Sequence, residues 1–165
     1  MRFNIDSLVG IRGASMNVEE TSNIQDINLG RSVVKYDGPI AFEGKITNAG
    51  DCMVAEGVIK GKMNLVCDRC LKDFEMDIAL DFMQSYCTRT SRASSVIFDG
   101  EDNLDFDHDE MVVYEGEVID IFPDVEQAII LSIPIRILCK QDCKGLCEVC
   151  GADQNETECK CRYNN

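Results

Sequence analysis

The stretch MVAEGVIKGKMNLVCDRCLKDFEMDIALDF, residues 53–82, decides the fold because two alternating runs flank a pair of cysteines. Apolar side chains or glycines occupy every second position over residues 53–65 and again over residues 74–82. A period of two is typical of a strand that buries one face. The stretch therefore predicts a long β-hairpin whose tip carries Cys67 and Cys70.

The sequence before this hairpin continues the same pattern. A β pattern begins at Val33, and apolar residues alternate with polar or small ones over residues 40–46. The turn-forming residues NAGD, 48–51, separate this run from the hairpin. Three such runs joined by short links predict an antiparallel meander. Residues 1–31 have only weak periodicity, and they are predicted to form a loop with one short element.

Helical spacing is found in one segment, PDVEQAIILSI, residues 123–133. Pro123 is favoured in the first turn of a helix, and Pro134 stops one. Apolar residues recur four apart and form a single stripe: Ile121, Val125, Ile129 and Ile133. We expect this helix to cover the sheet. Residues 87–110 are polar and acidic, and they predict a mobile loop around a short strand at 96–98.

Charge is distributed unevenly along the chain. The 165 residues carry a formal net charge of −14, with 30 acidic and 16 basic residues. Residues 98–126 contain 12 acids and no lysine or arginine, whereas residues 1–95 nearly balance. Because lysine and arginine supply most of the affinity for a phosphate backbone, the chain as a whole would repel nucleic acid. Any RNA contact must be local, and the acidic segment either suits a basic protein partner or keeps the chain soluble.

The start of the chain and its cysteine content bear on its compartment. Asp6 interrupts any apolar run at the start, so no signal peptide is predicted, and the longest apolar runs are too short to span a bilayer. A cytoplasmic protein without a membrane span is expected. Cytoplasmic thiols are kept reduced, so the 10 cysteines indicate metal or redox chemistry more than structural disulfides.

The last four cysteines form the strongest spacing signal. Cys147-x2-Cys150-Gly151 resembles the tight knuckle of zinc ribbons, in which amides of the turn point at sulfur. Cys159-x-Cys161 offers two more thiols after eight intervening residues. Cysteines one residue apart would form a strained disulfide, whereas both can bind one metal ion. These residues predict a self-contained zinc site with four thiolate ligands.

Four further cysteines predict a second site. Cys67-x2-Cys70 lies between two strands, whereas a thioredoxin-type redox pair lies at a helix N-terminus, so half a metal site is the preferred interpretation. Cys139-x3-Cys143 follows the helix and has no other partner of its own. We expect these four cysteines to bind one zinc ion that joins the sheet to the segment leaving the helix. Such an ion would contribute on the order of 10 kcal/mol toward folding.

Other uses of the thiols stay open at this stage. One site could instead use Cys139, Cys143, Cys147 and Cys150. The cysteines could also act as a redox sensor or hold an iron–sulfur cluster. Cys52 and Cys87 remain outside both sites and are expected to be free or buried thiols. No open coordination position is identified, so a catalytic zinc is not expected.

Two weaker signals concern the acidic segment and the basic residues. Residues 99–110 place oxygen-bearing side chains at calcium-loop positions, but Leu104 replaces the required glycine, so a solvated acidic loop is the better interpretation. His108 in the same run has no nucleophile obviously paired with it. Basic residues near the cysteines predict a small positive patch for RNA or a protein partner: Arg69, Lys72, Lys140 and Lys144. Simple solvation of these side chains is the alternative.

The motifs together resemble one known family. A hairpin carrying CDRCL, an acidic middle, a helix ending in LSIPI, and DCKGLCEVCG before a terminal CKC resemble the YceD family, from about Val33 to Cys161. Its members are bacterial and plastid proteins implicated in accumulation of the large-subunit ribosomal RNA. Glu148 stands where the family usually has proline, and QNETE differs from the usual Asn-Leu-Asn. Neither difference removes a cysteine.

The resemblance implies a function in processing or assembly of the large-subunit rRNA. The patterns predict an α+β fold, mainly antiparallel sheet with one covering helix, with a body at 1–138 and a cysteine-rich, zinc-binding tail at 139–165 packed on it. The first hypothesis is a non-enzymatic ribosome biogenesis factor that contacts 23S rRNA, a pre-ribosomal particle or a basic ribosomal protein. The second is a thiol-based redox sensor or metal-buffering protein. A nuclease or modification enzyme is disfavoured because no acid–base constellation stands out.

Overall fold

The structure is a computed structural model that describes residues 1–28, 30, 33–89 and 111–161. Its elements in chain order are β1 (Arg2–Asn4), a 3₁₀ helix (Asp6–Leu8), β2 (Ser15–Ser22), β3 (Ile27–Asn28), β4 (Val33–Tyr36), β5 (Ile40–Asn48), β6 (Cys52–Val66), β7 (Asp73–Thr88), β8 (Met111–Tyr114), β9 (Val118–Asp120) and α1 (Phe122–Ser132). The predicted strand at 96–98, the acidic residues 99–110 and His108 lie outside the described residues. Among the described residues, no helix is both long and apolar enough to cross a membrane.

The predicted hairpin lies at the centre of a sheet that has seven strands among the described residues. β6 pairs with β7 along its whole length in antiparallel register. The other edge of β6 is shared, because β5 pairs with its first part and β4 with its last part. β2 extends the sheet beyond β5, and β3 extends it beyond β4. The predicted meander of β5, β6 and β7 is confirmed.

The period of two places one face of the sheet in the core. In β6, Ile59 is fully buried, whereas its neighbour Lys60 is exposed on the opposite face. Gly44 of β5 lies directly opposite Gly57 of β6, and a Cβ at either position would collide with the backbone of the other strand. The two strands therefore approach more closely here than side chains would permit.

The N-terminal region contains more structure than the expected loop with one short element. Residues 1–28 include β1, β2, β3 and the 3₁₀ helix, and β2 pairs with β5 over eight residues. Val18 is the one buried residue of β2. Since β2 is an outer strand, backbone pairing holds it in place with little apolar burial, and its sequence alternates only weakly.

The strands after β7 connect the C-terminal half of the chain to the sheet and to the N-terminus. β8 joins β7 in parallel, which a meander does not predict, and β9 pairs with β1 in a separate two-stranded sheet. α1 then packs on β7, as predicted. Val125 and Ile129 are fully buried, and the Tyr86 hydroxyl donates to Asp124 Oδ2 at 2.7 Å. The helix ends at Ser132 because the residue before Pro134 disfavours helical backbone.

Candidate metal centres

The structure brings eight cysteines into two groups of four, and each group contains the residues that the sequence predicts. The nonlocal cluster combines the hairpin tip with the segment after α1: Cys67, Cys70, Cys139 and Cys143. The local cluster lies within the C-terminal segment: Cys147, Cys150, Cys159 and Cys161. The alternative group of Cys139, Cys143, Cys147 and Cys150 is not the one formed.

The sulfur separations in both clusters fit one four-coordinate ion. All Sγ atoms of a cluster lie within 4.8 Å of one another. Neighbouring Sγ atoms are 3.6 and 3.7 Å apart in the nonlocal cluster and 3.2 and 3.5 Å apart in the local cluster. A tetrahedral site with metal–sulfur bonds of about 2.3 Å has sulfur–sulfur edges of about 3.8 Å. An iron–sulfur cluster distributes its thiolates over several irons and needs more room.

The hairpin tip, residues 67–72, folds as a compact knuckle. The Leu71 amide donates to the Cys67 carbonyl, and the Cys67 amide donates to the Lys72 carbonyl, both at 3.0 Å. Leu71 has a φ of +58°, a left-handed conformation that costs a residue with a Cβ about 1 to 2 kcal/mol. This turn keeps Cys67 and Cys70 on the same side of the hairpin tip, as one half of a metal site requires.

Residues 147–152 form the same knuckle. The Gly151 amide donates to the Cys147 carbonyl, and the Cys147 amide donates to the Ala152 carbonyl, both at 2.8 Å. Gly151 has a φ of +72° and occupies the position that Leu71 has in the first knuckle. Each cluster is therefore built on one copy of the same six-residue unit.

Amide groups within each knuckle stabilise a thiolate on the first cysteine. Burial would raise the pKa of Cys67, but three backbone amides, two of them from its own knuckle, lower that pKa to about 6. The Cys150 amide and then the Cys159 thiol lower the pKa of Cys147 to about 6 as well. The first cysteine of each knuckle is therefore prepared to bind a cation.

One thiol of each cluster retains its proton at neutral pH. Burial and contacts with the other three thiols raise the pKa of Cys139 to about 12. Contacts with Cys159 and Cys150, together with burial, raise the pKa of Cys161 to about 12. Four adjacent thiolates repel one another, and a divalent ion removes that repulsion. The donor set of each cluster thus fits a metal ion that prefers thiolate ligands.

Hydrogen bonds attach the hairpin tip to the segment after α1 and close the nonlocal cluster. The Asp68 amide donates to the Ile137 carbonyl at 2.8 Å, and the Ile137 amide donates to Asp68 Oδ2 at 2.7 Å. Arg69 Nη1 donates to the Cys143 carbonyl at 2.7 Å. These contacts hold Cys139 and Cys143 beside the knuckle, and three of the four cysteines are buried.

The local cluster lies nearer the surface. Cys150 is exposed, and Cys159 and Cys161 are half-buried. An isolated β-bridge between Leu146 and Asp153 brings the two ends of the knuckle together. The two clusters therefore share one ligand chemistry but differ in their access to solvent.

The comparison with known families covers both clusters. A sequence profile of the family described as "Large ribosomal RNA subunit accumulation protein YceD" matches residues 55–165, which is more than half of the chain. This chain belongs to the YceD family. The matched range contains all eight cysteines of the two clusters.

Curated relatives are similar over most of this chain at low identity. "Uncharacterized protein YlbN" of Bacillus subtilis is 25% identical over 142 residues, which cover 86% of this chain and 76% of that protein. "Large ribosomal RNA subunit accumulation protein YCED homolog 1, chloroplastic" of Zea mays is 23% identical over 146 residues, which cover 77% of this chain and 50% of that protein. The protein of the same name from Arabidopsis thaliana is 23% identical over 167 residues, which cover 91% and 50%. The chain thus spans about half the length of its plant relatives. No solved structure matches it significantly.

The basic residues of this YceD-family chain have different surroundings. Arg69 is bonded to the Cys143 carbonyl, and Lys72 pairs with Glu156 at 2.7 Å. Lys140 and Lys144 are exposed, and neither side chain forms an ion pair with another described residue. Two of the four predicted contact charges are thus directed at the protein itself, and contact with a partner stays a prediction.

The expectation that Cys52 and Cys87 are free thiols is wrong, because the structure joins them in a disulfide. Cys52 is the first residue of β6, and it lies directly opposite Cys87 of β7 with a Cα–Cα distance of 4.3 Å. Cross-strand neighbours at this distance bring their side chains together. The pairing depends on the hairpin register, which spacing along the sequence does not reveal.

Three residues that shape the YceD-family clusters were not predicted. Asp68 anchors the hairpin tip, Leu71 adopts the left-handed position of the knuckle, and Asn155 contacts the Cys143 sulfur. Alignment of CDRCLK with CEVCGA could have found Leu71, since the two hexapeptides place leucine and glycine at the same position. No comparable signal exists for Asp68 or Asn155, whose partners are distant or lie in irregular structure.

Proposed function

We propose that this chain is a non-enzymatic, cytoplasmic ribosome biogenesis factor that supports processing or accumulation of the large-subunit (23S) rRNA. Membership of the YceD family and the names of the plant relatives support this function. Each cysteine cluster holds one structural zinc ion in the proposal. The observation that supports the zinc ions is the convergence of four sulfur atoms from two distant segments, Cys67 with Cys70 and Cys139 with Cys143, within 4.8 Å.

The ligand set supports a structural use of the metal. Zinc bound by four thiolates has no open position for water or substrate, and it supplies cross-linking energy instead of Lewis-acid chemistry. In the nonlocal cluster the ion would connect the β6–β7 hairpin to the segment after α1. The chain would then present a rigid surface to its partner, with no need for a catalytic residue.

The charges around the clusters limit how the protein can contact RNA. Of the four predicted contact charges, Lys140 and Lys144 are exposed and form no ion pair with another described residue, whereas Arg69 and Lys72 stabilise the junction of the hairpin and the tail. A contact made by two to four cations is local, and it suits a pre-ribosomal particle better than free RNA. The acidic segment 98–126 would attract a basic ribosomal protein.

Complementation tests the ribosomal function. Cells depleted of the protein are expected to accumulate less mature 23S rRNA, with 16S rRNA little changed. Wild-type protein should restore it, whereas Cys67→Ser and the double variant Lys140→Gln/Lys144→Gln should restore it only in part. A matched control removes two exposed lysines from the sheet face, Lys45→Gln/Lys60→Gln, and should restore it fully. Unchanged 23S rRNA after depletion would reject the function, and equal effects of the two double variants would reject the contact site.

The second candidate is a thiol-based redox sensor or metal-buffering protein, which the exposure of Cys150 favours. An exposed thiolate site exchanges metal and reacts with oxidants faster than a buried one. Zinc content before and after mild oxidation discriminates the two functions. Two tightly retained ions support the structural proposal, whereas rapid and reversible loss of both ions supports the sensor.

A further inference from the structure

One side chain joins the two clusters although it belongs to neither ligand set. Asn155 lies between Cys150 and Cys159 in the loop of the local cluster, and its Nδ2 donates to the Sγ of Cys143 in the nonlocal cluster at 3.4 Å. Hydrogen bonds from outside the ligand set orient metal ligands, and their loss typically costs 10- to 100-fold in metal affinity. Asn155 is therefore placed to influence a metal centre other than the one its own loop closes.

The Asn155 side chain is held at both of its ends. Its Oδ1 accepts a hydrogen bond from the Lys144 amide at 2.9 Å. This bond attaches Asn155 to residues 144–146, the linker between the two clusters. Its Nδ2 also donates to Asp153 Oδ1 at 2.7 Å, and its own amide donates to the same oxygen at 2.8 Å. With these contacts in place, the second proton of Nδ2 is directed at the Cys143 sulfur.

The loop that carries Asn155 begins and ends at ligands of the local cluster. Cys150 and Cys159 bound the loop, and their Sγ atoms lie 3.5 Å apart, so an ion there fixes both ends. The loop also contacts the linker, where the Gln154 amide donates to the Gly145 carbonyl at 3.0 Å. The linker in turn reaches the hairpin tip, where the Leu146 amide donates to the Arg69 carbonyl at 3.3 Å. A continuous path of hydrogen bonds therefore connects the two clusters.

We propose that Asn155 couples the two metal centres, so that filling of the local cluster strengthens metal binding by the nonlocal cluster. The ion in the local cluster orders the loop, and the ordered loop places the Asn155 amide on Cys143. Because linkage is reciprocal, an ion in the nonlocal cluster stabilises the local one by the same factor. The inference rests on the metal-binding part of the proposed function and does not depend on its ribosomal part.

Loop lengths set the order in which the two clusters fill. Contacting sulfurs of the local cluster are 9 and 12 residues apart along the chain, whereas those of the nonlocal cluster are 69 and 76 apart. Closing a longer loop costs more chain entropy. The local cluster therefore fills first, and the nonlocal cluster fills with the loop already in place.

A chelator titration of the full-length zinc-loaded chain tests the coupling. Native mass spectrometry counts the bound ions, and differential alkylation identifies which cysteines have lost theirs. In Cys159→Ser/Cys161→Ser, the nonlocal cluster should release its ion at a chelator concentration about 10- to 100-fold lower than in the wild type. Adding Asn155→Ala to this variant should change nothing further. The proposal would be overturned if Asn155→Ala lowered the metal affinity of the nonlocal cluster in this variant by as much as it does in the wild type. The two effects would then be independent.

An isosteric variant removes the donor to sulfur. Asn155→Asp keeps an oxygen for the Lys144 amide but removes the Nδ2 donor to Cys143, together with the Nδ2 bond to Asp153 Oδ1, so it should weaken the nonlocal cluster at least tenfold while the local cluster stays filled. Gln154→Ala is the matched control, because the Gln154 contact with the linker is made by its backbone, and it should keep wild-type affinity. Wild-type affinity in Asn155→Asp, or equal losses in Gln154→Ala and Asn155→Ala, would overturn the proposal. A wild-type chain that binds no zinc would instead reject the proposed function beneath it.

Discussion

The knuckles at residues 67–72 and 147–152 are the same unit in opposite settings. Both have the same two backbone hydrogen bonds and a left-handed fifth residue. In the first knuckle the contacting thiols of the other half lie 69 and 76 residues away, whereas in the second knuckle Cys159 lies 9 residues from Cys150 and 12 from Cys147. The fold of half a site is thus independent of where the other half comes from. What differs is the loop that the ion closes, and with it the contribution of the ion to the stability of the whole chain.

Removing one ligand from each cluster in turn should give the largest difference in stability between two variants. Cys67→Ser and Cys159→Ser should each lower the zinc content from two ions to one. Cys67→Ser should lower the free energy of unfolding by up to about 10 kcal/mol, since it removes the ion that joins distant segments around buried thiols. Cys159→Ser should lower it by about 1 to 3 kcal/mol, mainly through weaker metal binding at the nonlocal cluster. Urea unfolding with metal analysis by mass spectrometry measures both quantities.

The control for these variants is a cysteine outside both clusters. Cys52→Ser, studied under reducing conditions, should retain two zinc ions. Equal destabilisation by Cys67→Ser and Cys159→Ser would remove the distinction between the clusters. Loss of zinc from Cys52→Ser would show that the ligand sets are assigned incorrectly.

Proline at the second position of each knuckle should have opposite effects on the stability of the chain. The Asp68 amide donates to the Ile137 carbonyl, and the Asp68 carboxylate accepts the Ile137 amide. Proline removes both bonds, so Asp68→Pro should lower the free energy of unfolding by about 2 to 3 kcal/mol. The Glu148 amide donates to no other group in the part of the chain that the structure describes. Glu148→Pro should therefore raise stability by about 0.5 kcal/mol, because proline restricts the unfolded chain. Thermal unfolding of the zinc-loaded variants compares them, and a destabilised Glu148→Pro would contradict the difference in setting, because the second knuckle would then also depend on its second amide.

The sequence predicts the local half of each site better than the contacts that complete it. Alternation over residues 53–82 locates the hairpin, and the spacing of the cysteine pairs assigns them to two groups, since both signals depend on neighbouring residues. The parallel pairing of β8 with β7 and the Cys52–Cys87 disulfide depend on which strands meet and in which register. Asn155 is a similar case, because its partner sulfur belongs to another cluster. These features follow from tertiary structure, and no local pattern reports them.

Substitutions at the fifth residue of each knuckle should change the free energy of unfolding in opposite directions. Leu71 is exposed and pays the strain of a positive φ, so Leu71→Gly should raise the free energy of unfolding by about 0.5 to 1 kcal/mol. Gly151 has open space around it, so Gly151→Ala should lower stability by about 1 kcal/mol through backbone strain alone. Gly116→Ala, at another positive φ remote in sequence from either cluster, should cost a similar amount without changing zinc affinity. Chelator titration beside urea unfolding distinguishes these cases, and a destabilised Leu71→Gly would mean that its side chain, not its backbone, is what the knuckle requires.

The smallest expected effect concerns the metal-free chain, in which the two knuckles should behave alike. The pKa values of Cys67 and Cys147 are lowered to about 6, below the ordinary cysteine value of about 8.5, so each thiolate stabilises the folded state. That contribution is fully present above the ordinary value and is lost as the pH falls through 6. The urea midpoint of chelator-treated protein should therefore rise between pH 6 and pH 8.5, and the rise should be shallower in both Cys67→Ala and Cys147→Ala. Thiolate absorbance in the ultraviolet follows the same titration independently. A full rise in Cys147→Ala, with a shallow one in Cys67→Ala, would mean that the turn amides lower the pKa of Cys67 but not that of Cys147, so that the shared hydrogen bonds would no longer explain the shared chemistry.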